Sequence, residues 1–307
     1  MPGGRHVEAV TDVRFDLAPG QCLALVGESG CGKSVLASAL LGLLPGNAET
    51  AGSARLADGL DVLAADERTL AEAVRGRRIG LVPQSPAAHL TPVRTIRAQL
   101  EETVRELAGV PKAELRAAAE AAAERAAFPA SHLDHHPHQL SGGLAQRAAT
   151  ALALVGDAPL LLADEPTTGL DRDLVHRTVD ELRAHTRDTG RALLLITHDL
   201  AAAERIADTV AVMYAGRIVE LAPAGTFFGG PGPRHPYARG LLDALPERAF
   251  TPIAGAPPEL GALPAGCAFA ARCPVPPSLA APGGPPADRD CRTRLPLLTG
   301  GVACHHA

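Results

Sequence analysis

The sequence contains no tryptophan, and aromatic residues make up 3% of its 307 positions. No stretch reaches about 18 consecutive apolar residues, so we expect no segment that crosses a membrane as a helix. The amino terminus MPGGRHVEAV has no apolar run of the secretory-signal type. Positive charge is not in excess, since 29 Lys and Arg face 34 Asp and Glu, a net charge of −5. This balance excludes a general nucleic-acid binder, which needs clustered positive charge.

The residues that are present predict an α/β protein followed by an irregular segment. Apolar residues make up 46% and charged residues 21% of the chain, the balance of a globular protein. Buried-type strands alternate with helical stretches up to about residue 220, which predicts a parallel sheet. The Ala-rich run 113–127 consists of strong helix formers and predicts a helix. From Pro223 onward the chain is rich in Pro and Gly, so we place domains at 1–225 and 226–307.

A glycine-rich loop follows the first apolar strand. QCLALVGESGCGKS fits the pattern G-x-x-x-x-G-K-S and continues into a helical run. In such a loop the glycines let backbone N–H groups surround phosphate, the lysine neutralises charge, and the serine binds Mg²⁺. The pattern predicts an ATP-binding phosphate loop at Gly27, Glu28, Ser29, Gly30, Cys31, Gly32, Lys33, Ser34 and Val35.

Two acidic residues end a second apolar strand, PLLLADEP. In P-loop nucleoside triphosphatases an aspartate at such a strand end binds Mg²⁺. We therefore expect Asp164 to hold the ion together with Ser34. The adjacent Glu165 is placed to orient or deprotonate the attacking water.

The segment LSGGLAQR, taken with the phosphate loop and DEPTTGLD, resembles the signature of ABC transporter ATPases. The resemblance implies an ABC-type nucleotide-binding domain: a RecA-like core with a helical subdomain at about 85–150. It further implies a head-to-tail dimer with a second ABC ATPase subunit, a heterodimer by preference. In that dimer Ser141, Gly142 and Gly143 contact the γ-phosphate held by the partner.

Three more residues match the family. Gln84 in IGLVPQSP resembles the glutamine that reaches Mg²⁺ and lies near the permease contact. Asp171 in TTGLD resembles the aspartate of the D-loop. His198 in LLLITHDL resembles the histidine that contacts the γ-phosphate. With Lys33 and Glu165, Gln84 and His198 complete the expected catalytic set, while the sequence identifies no aromatic residue that stacks on adenine.

The carboxyl-terminal segment resembles that of oligopeptide/dipeptide importer ATPases, a subfamily that includes nickel-uptake members. The resemblance rests on RHPYARGLLDALP and IAGAPPELGALPAGCAFAARCP. Four cysteines of the segment have five, seventeen and twelve residues between neighbours: Cys267, Cys273, Cys291 and Cys304. Some members carry a [4Fe–4S] cluster on such cysteines, and four thiolates also suit zinc. Free thiols are the remaining alternative.

The resemblance implies an ATPase that powers peptide uptake, with nickel or metallophore uptake as the alternative. Its implied partners are two membrane permease subunits and an extracytoplasmic substrate-binding protein. We expect the subunit at the cytoplasmic face of the plasma membrane. A soluble ABC ATPase acting on DNA or ribosomes is disfavoured, because such chains carry long coiled-coil insertions or tandem ATPase domains.

Overall fold

The computed structural model describes residues 6–170, 172–274 and 287–307. Their contacts divide the chain into two compact units. The first contains Met1–Asp16, Leu23–Leu36 and Thr197–Ala307, and the second contains Leu17–Cys22 and Ala37–Ile196. Each unit is therefore assembled from segments that are distant in sequence.

The second unit contains parallel strands whose pairing follows from their apolar sequences. Strand β3 (Leu160–Asp164) pairs in parallel with β2 (Ile79–Val82) on one side and β4 (Ala192–Thr197) on the other. Every residue of β4 is buried. Continuous apolar strands of this kind are typical of parallel sheets covered on both faces.

The second unit also contains helices, and two of them show how the sequence sets their limits. The side chain of Thr95 accepts a hydrogen bond from the Ala98 N–H at one helix start, and Gly109 ends that helix with φ 62°. The Ala-rich helix spans Leu115–Arg125, inside the predicted range. The helices are α1 (Lys33–Leu40, which begins in the first unit), α2 (Glu67–Thr69), α3 (Pro86–His89), α4 (Ile96–Ala108), α5 (Leu115–Arg125), α6 (Gly142–Ala153) and α7 (Arg172–Thr189).

The first unit contains β1 (Cys22–Val26, of which Cys22 counts with the second unit), β5 (Thr209–Tyr214) and β6 (Arg217–Pro223). β1 pairs in parallel with β5, and β5 pairs antiparallel with β6. The β5–β6 turn consists of Ala215 and Gly216, both with positive φ, as two-residue hairpin turns require. Helix α8 (Leu200–Ile206) is capped by the preceding Asp199, whose side chain accepts a hydrogen bond from the Ala202 N–H.

The carboxyl-terminal segment belongs to this same first unit. It contributes α9 (Ala224–Phe228), α10 (Pro236–Asp243) and α11 (Ala287–Thr293). Its buried aromatic residues Phe227, Tyr237 and Phe269 join one apolar core with Val26 of β1 and residues of β5. The domain boundary at about residue 225 stays a prediction from composition, since spatial contacts divide the chain differently.

The α/β class predicted from sequence is confirmed by this arrangement of strands and helices. The longest helix, α7, has 18 residues and is rich in charged side chains. Within the described ranges, no helix combines the length and apolar character needed to span a membrane.

Candidate functional site

The phosphate loop holds its lysine inside the loop. Lys33 is the first residue of α1, and only 5% of its surface is exposed. Its Nζ donates hydrogen bonds to the carbonyl oxygens of Gly27 at 2.8 Å and of Glu28 at 3.1 Å. These two carbonyl dipoles fix the position of the ammonium charge at the start of a helix, the arrangement expected of an anion site.

Both pattern glycines are required by close backbone contacts. A Cβ atom on Gly27 would lie 2.2 Å from the carbonyl oxygen of Met213 in β5. One on Gly32, whose φ is 106°, would lie 2.4 Å from the carbonyl oxygen of Ala9. The loop is thus pressed between two backbone segments, which leaves no room for side chains at these positions.

The other loop residues divide into exposed and buried positions. Ser29, Gly30, Ser34 and Val35 are exposed, whereas Cys31 is buried. Burial raises the pKa of the Cys31 thiol and outweighs the opposing effect of nearby Lys33. Cys31 is therefore a neutral packing residue, and the exposed edge carries the proposed Mg²⁺ ligand Ser34.

Glu165 occupies a constrained position directly after β3. Its φ is 46°, rare for a residue with a side chain, and it is 7% exposed. Its N–H donates to the carbonyl oxygen of Ile196 at 2.8 Å, and its carboxylate accepts from the hydroxyl of Thr168 at 3.0 Å. Asp164 precedes it as the last residue of β3, opposite Ile196 in the register. Backbone strain of this kind persists where surrounding structure enforces it, and it is concentrated at functional sites.

The signature segment forms an exposed helix start. Ser141 is the N-cap of α6, and its Oγ accepts from the Leu144 N–H at 3.4 Å. Ser141 and Gly142 are exposed, while a Cβ on Gly143 would lie 2.6 Å from Cδ2 of Leu174. The exposed N-terminus of a twelve-residue helix is suited to bind an anion supplied from outside.

Gln146 of the signature helix connects to the glutamine segment, a contact that the sequence analysis missed. Gln146 is 3% exposed, and its Nε2 donates to the carbonyl oxygen of Pro83 at 3.4 Å. Pro83 directly precedes the exposed Gln84. A buried hydrogen bond therefore connects the signature helix to the residue directly before Gln84.

The expected site residues fall in both units. The first unit holds the phosphate loop and His198, which is exposed directly after β4. The second unit holds Gln84, the signature Ser141–Gly143 and the pair Asp164 and Glu165. Asp171 lies outside the described residues.

The four carboxyl-terminal cysteines line one cavity together with His235, His305 and His306. Burial raises the pKa of Cys267 to about 11. Cys291 Sγ lies 3.3 Å from His306 Nε2. Nevertheless, in the part of the chain that the structure describes, no three Cys, His, Asp or Glu side chains are placed to hold a metal ion. The iron–sulfur cluster and the zinc ion expected from sequence are therefore not shown.

Sequence reasoning also missed two residues of the carboxyl-terminal segment that bond to Glu28 of the phosphate loop. They are Arg272, which forms an ion pair with the Glu28 carboxylate, and Tyr237, whose hydroxyl accepts from the Glu28 N–H. Tyr237 lies within the RHPY sequence that carries the subfamily resemblance, and Arg272 directly precedes Cys273. Their places beside the RHPY and cysteine motifs were the signal by which the sequence could have identified these two residues.

Comparison with known protein families agrees with the geometry. The ABC transporter family profile matches residues 10–168. The profile of the oligopeptide/dipeptide transporter C-terminal region matches residues 219–276. The fold is similar to that of the ATP-binding cassette MJ0796, solved as a dimer in a post-hydrolysis state with ADP and Pi. That similarity has a TM-score of 0.64 at 26% identity, over 70% of this chain and 90% of that one.

Curated relatives extend the similarity over most of the chain. The dipeptide transport ATP-binding protein DppD of Bacillus subtilis is 38% identical over 284 residues, 88% of this chain and 82% of the relative. A probable peptide ABC transporter ATP-binding protein, y4tR of Sinorhizobium fredii, is 39% identical over 95% of this chain and 85% of the relative. The oligopeptide transport ATP-binding protein OppD of Mycobacterium tuberculosis is 40% identical over 89% of this chain but only 45% of the relative. This chain therefore belongs to the ABC transporter family of ATPases and carries the C-terminal region of its oligopeptide/dipeptide branch.

Proposed function

We propose that this chain is the ATP-hydrolysing subunit of an importer that takes up di- or oligopeptides through a separate membrane permease. One observation carries the proposal: an ABC cassette with a complete phosphate loop is followed by a matched oligopeptide/dipeptide transporter C-terminal region. The relatives' names, all of which refer to peptide transport, support the same substrate class.

In the proposed mechanism the phosphate loop Gly27–Val35 receives the ATP phosphates. The fixed ammonium group of Lys33 neutralises charge on the β- and γ-phosphates. Ser34, Asp164 and Gln84 would hold Mg²⁺, whose charge offsets the charge that develops on the phosphates. Donors fixed in advance act on the transition state without reorganisation, which is why the positions of these groups matter.

Water activation is assigned to Glu165. Its carboxylate is nearly buried and held by Thr168, so it is suited to orient a water molecule. His198 is proposed to stabilise the phosphoryl group in transfer. Both are expected to act only when the site is closed.

The site is proposed to be completed by a second ABC ATPase subunit, placed head to tail. Ser141, Gly142 and Gly143 would bind the γ-phosphate held by that partner, and Asp171 would serve as the D-loop aspartate. The exposure of the α6 N-terminus in this chain supports this assignment. The assembly would include two permease subunits and an extracytoplasmic substrate-binding protein, with this subunit peripheral at the cytoplasmic face.

The proposal is tested by uptake. The chain is reconstituted in proteoliposomes with a candidate partner ATPase, permease subunits and binding protein, and uptake of labelled dipeptides is measured with MgATP. We expect ATP-dependent uptake that Glu165→Gln abolishes. Uptake of a nickel chelate but not of peptides would overturn the peptide assignment, and absence of ATP hydrolysis would overturn the enzyme assignment.

We also propose that Cys267, Cys273, Cys291 and Cys304 hold a [4Fe–4S] cluster, with zinc as the alternative. The four thiols line one cavity. They are not placed to hold a metal ion in the described structure, so cluster binding would require them to move closer together. Anaerobic purification should then give broad visible absorbance and about four iron atoms per chain. Zinc without iron would select the alternative, and protein without either metal would contradict the proposal.

A further inference from the structure

Two residues of the C-terminal segment, Arg272 and Tyr237, form hydrogen bonds with Glu28 of the phosphate loop. Arg272 donates two hydrogen bonds to the Glu28 carboxylate, from Nη1 at 2.7 Å and Nη2 at 2.9 Å. The Tyr237 hydroxyl accepts from the Glu28 backbone N–H at 2.9 Å. Glu28 is thus fixed at both its side chain and its backbone.

The guanidinium group of Arg272 is held on several sides. Its side chain is 4% exposed, and its Nε donates to the carbonyl oxygen of Ala254 at 3.0 Å. It lies 5.8 Å from the ring centroids of both Tyr214 and Phe269, within cation–π range. The Glu28 side chain is 29% exposed, so the guanidinium is the buried member of this bidentate pair. A bidentate pair has a defined geometry, and removing Glu28 would leave the buried guanidinium charge uncompensated.

Burial and hydrogen bonds also fix the position of Tyr237. It is fully buried, and its own N–H donates to Nδ1 of His235 at 3.0 Å. The buried carboxylate of Glu220, in β6, accepts from the backbone N–H groups of Arg234 and His235, both at 2.8 Å. The start of α10, which carries Tyr237, is therefore anchored to β6.

Glu28 is linked to Lys33 through its backbone carbonyl group. The carbonyl oxygen of Glu28 accepts one of the two backbone hydrogen bonds that hold Lys33 Nζ. The carbonyl oxygen of Gly27, the residue that precedes Glu28, accepts the other. A shift of Glu28 would therefore move the groups that orient the phosphate-binding ammonium.

We propose that Arg272 and Tyr237 are positioning residues of the ATP site: through Glu28 they hold the first half of the phosphate loop in the form that receives nucleotide. The inference rests on the proposed ATP-binding function and deepens it. It makes the C-terminal segment a determinant of nucleotide affinity. Because His235 and Cys273 line the cysteine cavity, the same two short segments connect that cavity to the loop.

The test is a double-mutant cycle on the full-length chain, with binding of a fluorescent ATP analogue and Mg²⁺ as the readout. Arg272→Gln and Glu28→Gln should each raise Kd about tenfold, equal to about 1.4 kcal/mol. The double variant should bind the ATP analogue no more weakly than either single variant, because the two substitutions remove the same ion pair. Arg272→Lys should recover part of the affinity. In the assembled transporter KM for ATP should rise while kcat changes less than about twofold.

Arg97→Gln is the matched control. Arg97 forms ion pairs with Glu120 at 2.8 Å and Asp134 at 2.7 Å; its side chain is 13% exposed, and those of its partners are 44% and 70% exposed. Its loss should lower thermal stability without changing Kd. Should Arg272→Gln fail to fold, Tyr237→Phe removes a single oxygen atom and should raise Kd by about threefold, as expected for one neutral hydrogen bond.

Three results would overturn the inference. One is a wild-type Kd in folded Arg272→Gln and Tyr237→Phe. A second is additivity of the two Gln substitutions. A third is an equal rise of Kd in Arg97→Gln, which would show that affinity follows stability alone. If instead the wild-type chain and Lys33→Ala bind ATP equally poorly, the proposed function itself fails, and the inference falls with it.

Discussion

The hydroxyl of Thr168 donates a hydrogen bond to the carboxylate of Glu165 at 3.0 Å, and Glu165 itself has a positive φ of 46°. The two features restrict both ends of one residue, its backbone and its carboxylate. A carboxylate held in this way keeps its orientation without reorganising during a reaction.

Glu165→Gln should bind MgATP with wild-type affinity. It should hydrolyse MgATP at least about 100-fold more slowly than the wild-type chain, since general-base catalysis contributes at least that factor. The substitution keeps shape and still accepts from Thr168, but it removes the proton acceptor. Phosphate release by the assembled transporter and nucleotide binding by the isolated chain are the measurements. Hydrolysis at the wild-type rate would show that another group activates water.

Lys33→Ala should raise Kd for ATP by about 100-fold, or about 2.7 kcal/mol, because a charged hydrogen-bond donor to the phosphates is lost. The other lysine of the sequence, Lys112, is exposed and supplies the control. Lys112→Ala should bind ATP normally in the same fluorescence titration. Equal binding by both variants would contradict the phosphate-loop assignment.

Ser141→Ala should separate a chain's own nucleotide site from that of its partner. The variant loses a helix cap and the proposed contact to the partner's γ-phosphate, so transporter hydrolysis should fall while ATP binding by the isolated chain is unchanged. Thr95→Ala removes a comparable cap, from α4, at 3.2 Å to the Ala98 N–H. Both should lose about 1 kcal/mol of stability in chemical denaturation. If Thr95→Ala reduces hydrolysis equally, the effect of Ser141 is structural.

His185 should make the fold less stable in mild acid. Burial, with Arg191 and Arg125 nearby, lowers its pKa to about 4, and its Nε2 has no hydrogen-bond partner among the described residues. The unfolded chain, with a histidine pKa of about 6.5, binds the proton more readily. The contribution of His185 to the free energy of unfolding is therefore fully present above about pH 6.5. It falls by about 1–2 kcal/mol as the pH decreases toward 4.

His185→Gln should reduce that acid sensitivity, whereas His89→Gln, at an exposed position, should not. Urea denaturation at pH 7 and pH 5 measures the difference, which is taken relative to the wild-type chain because carboxylates titrate in both. Identical pH dependence of wild type and His185→Gln would show that the histidine gains a partner on protonation.

Much of the fold was predictable because local patterns determine it. The fully buried strand β4 reads as a continuous apolar run, and α5 consists of strong helix formers. The phosphate loop was predictable for the same reason, since Gly32 and Lys33 satisfy backbone and charge requirements within a few residues. Local sequence therefore identified each part of the site.

Contacts between distant segments were not predictable. Glu28 meets Tyr237 and Arg272 across 209 and 244 residues of sequence. Likewise, the bond from Gln146 to Pro83 spans 63 residues. No local propensity encodes such pairs, because they depend on how the chain packs in three dimensions. The left-handed backbone of Glu165 was also missed, since glutamate rarely adopts it.

The shared apolar core of the first unit limits how the C-terminal segment can be removed or exchanged between related proteins. Val26 of β1 packs in one cluster with Tyr237 and Phe269 of the C-terminal segment. Truncation near residue 225 would expose this core to water, so the shortened cassette should aggregate rather than work alone. Exchanging C-terminal segments between related importers should succeed only when the matching face of the cassette is exchanged as well.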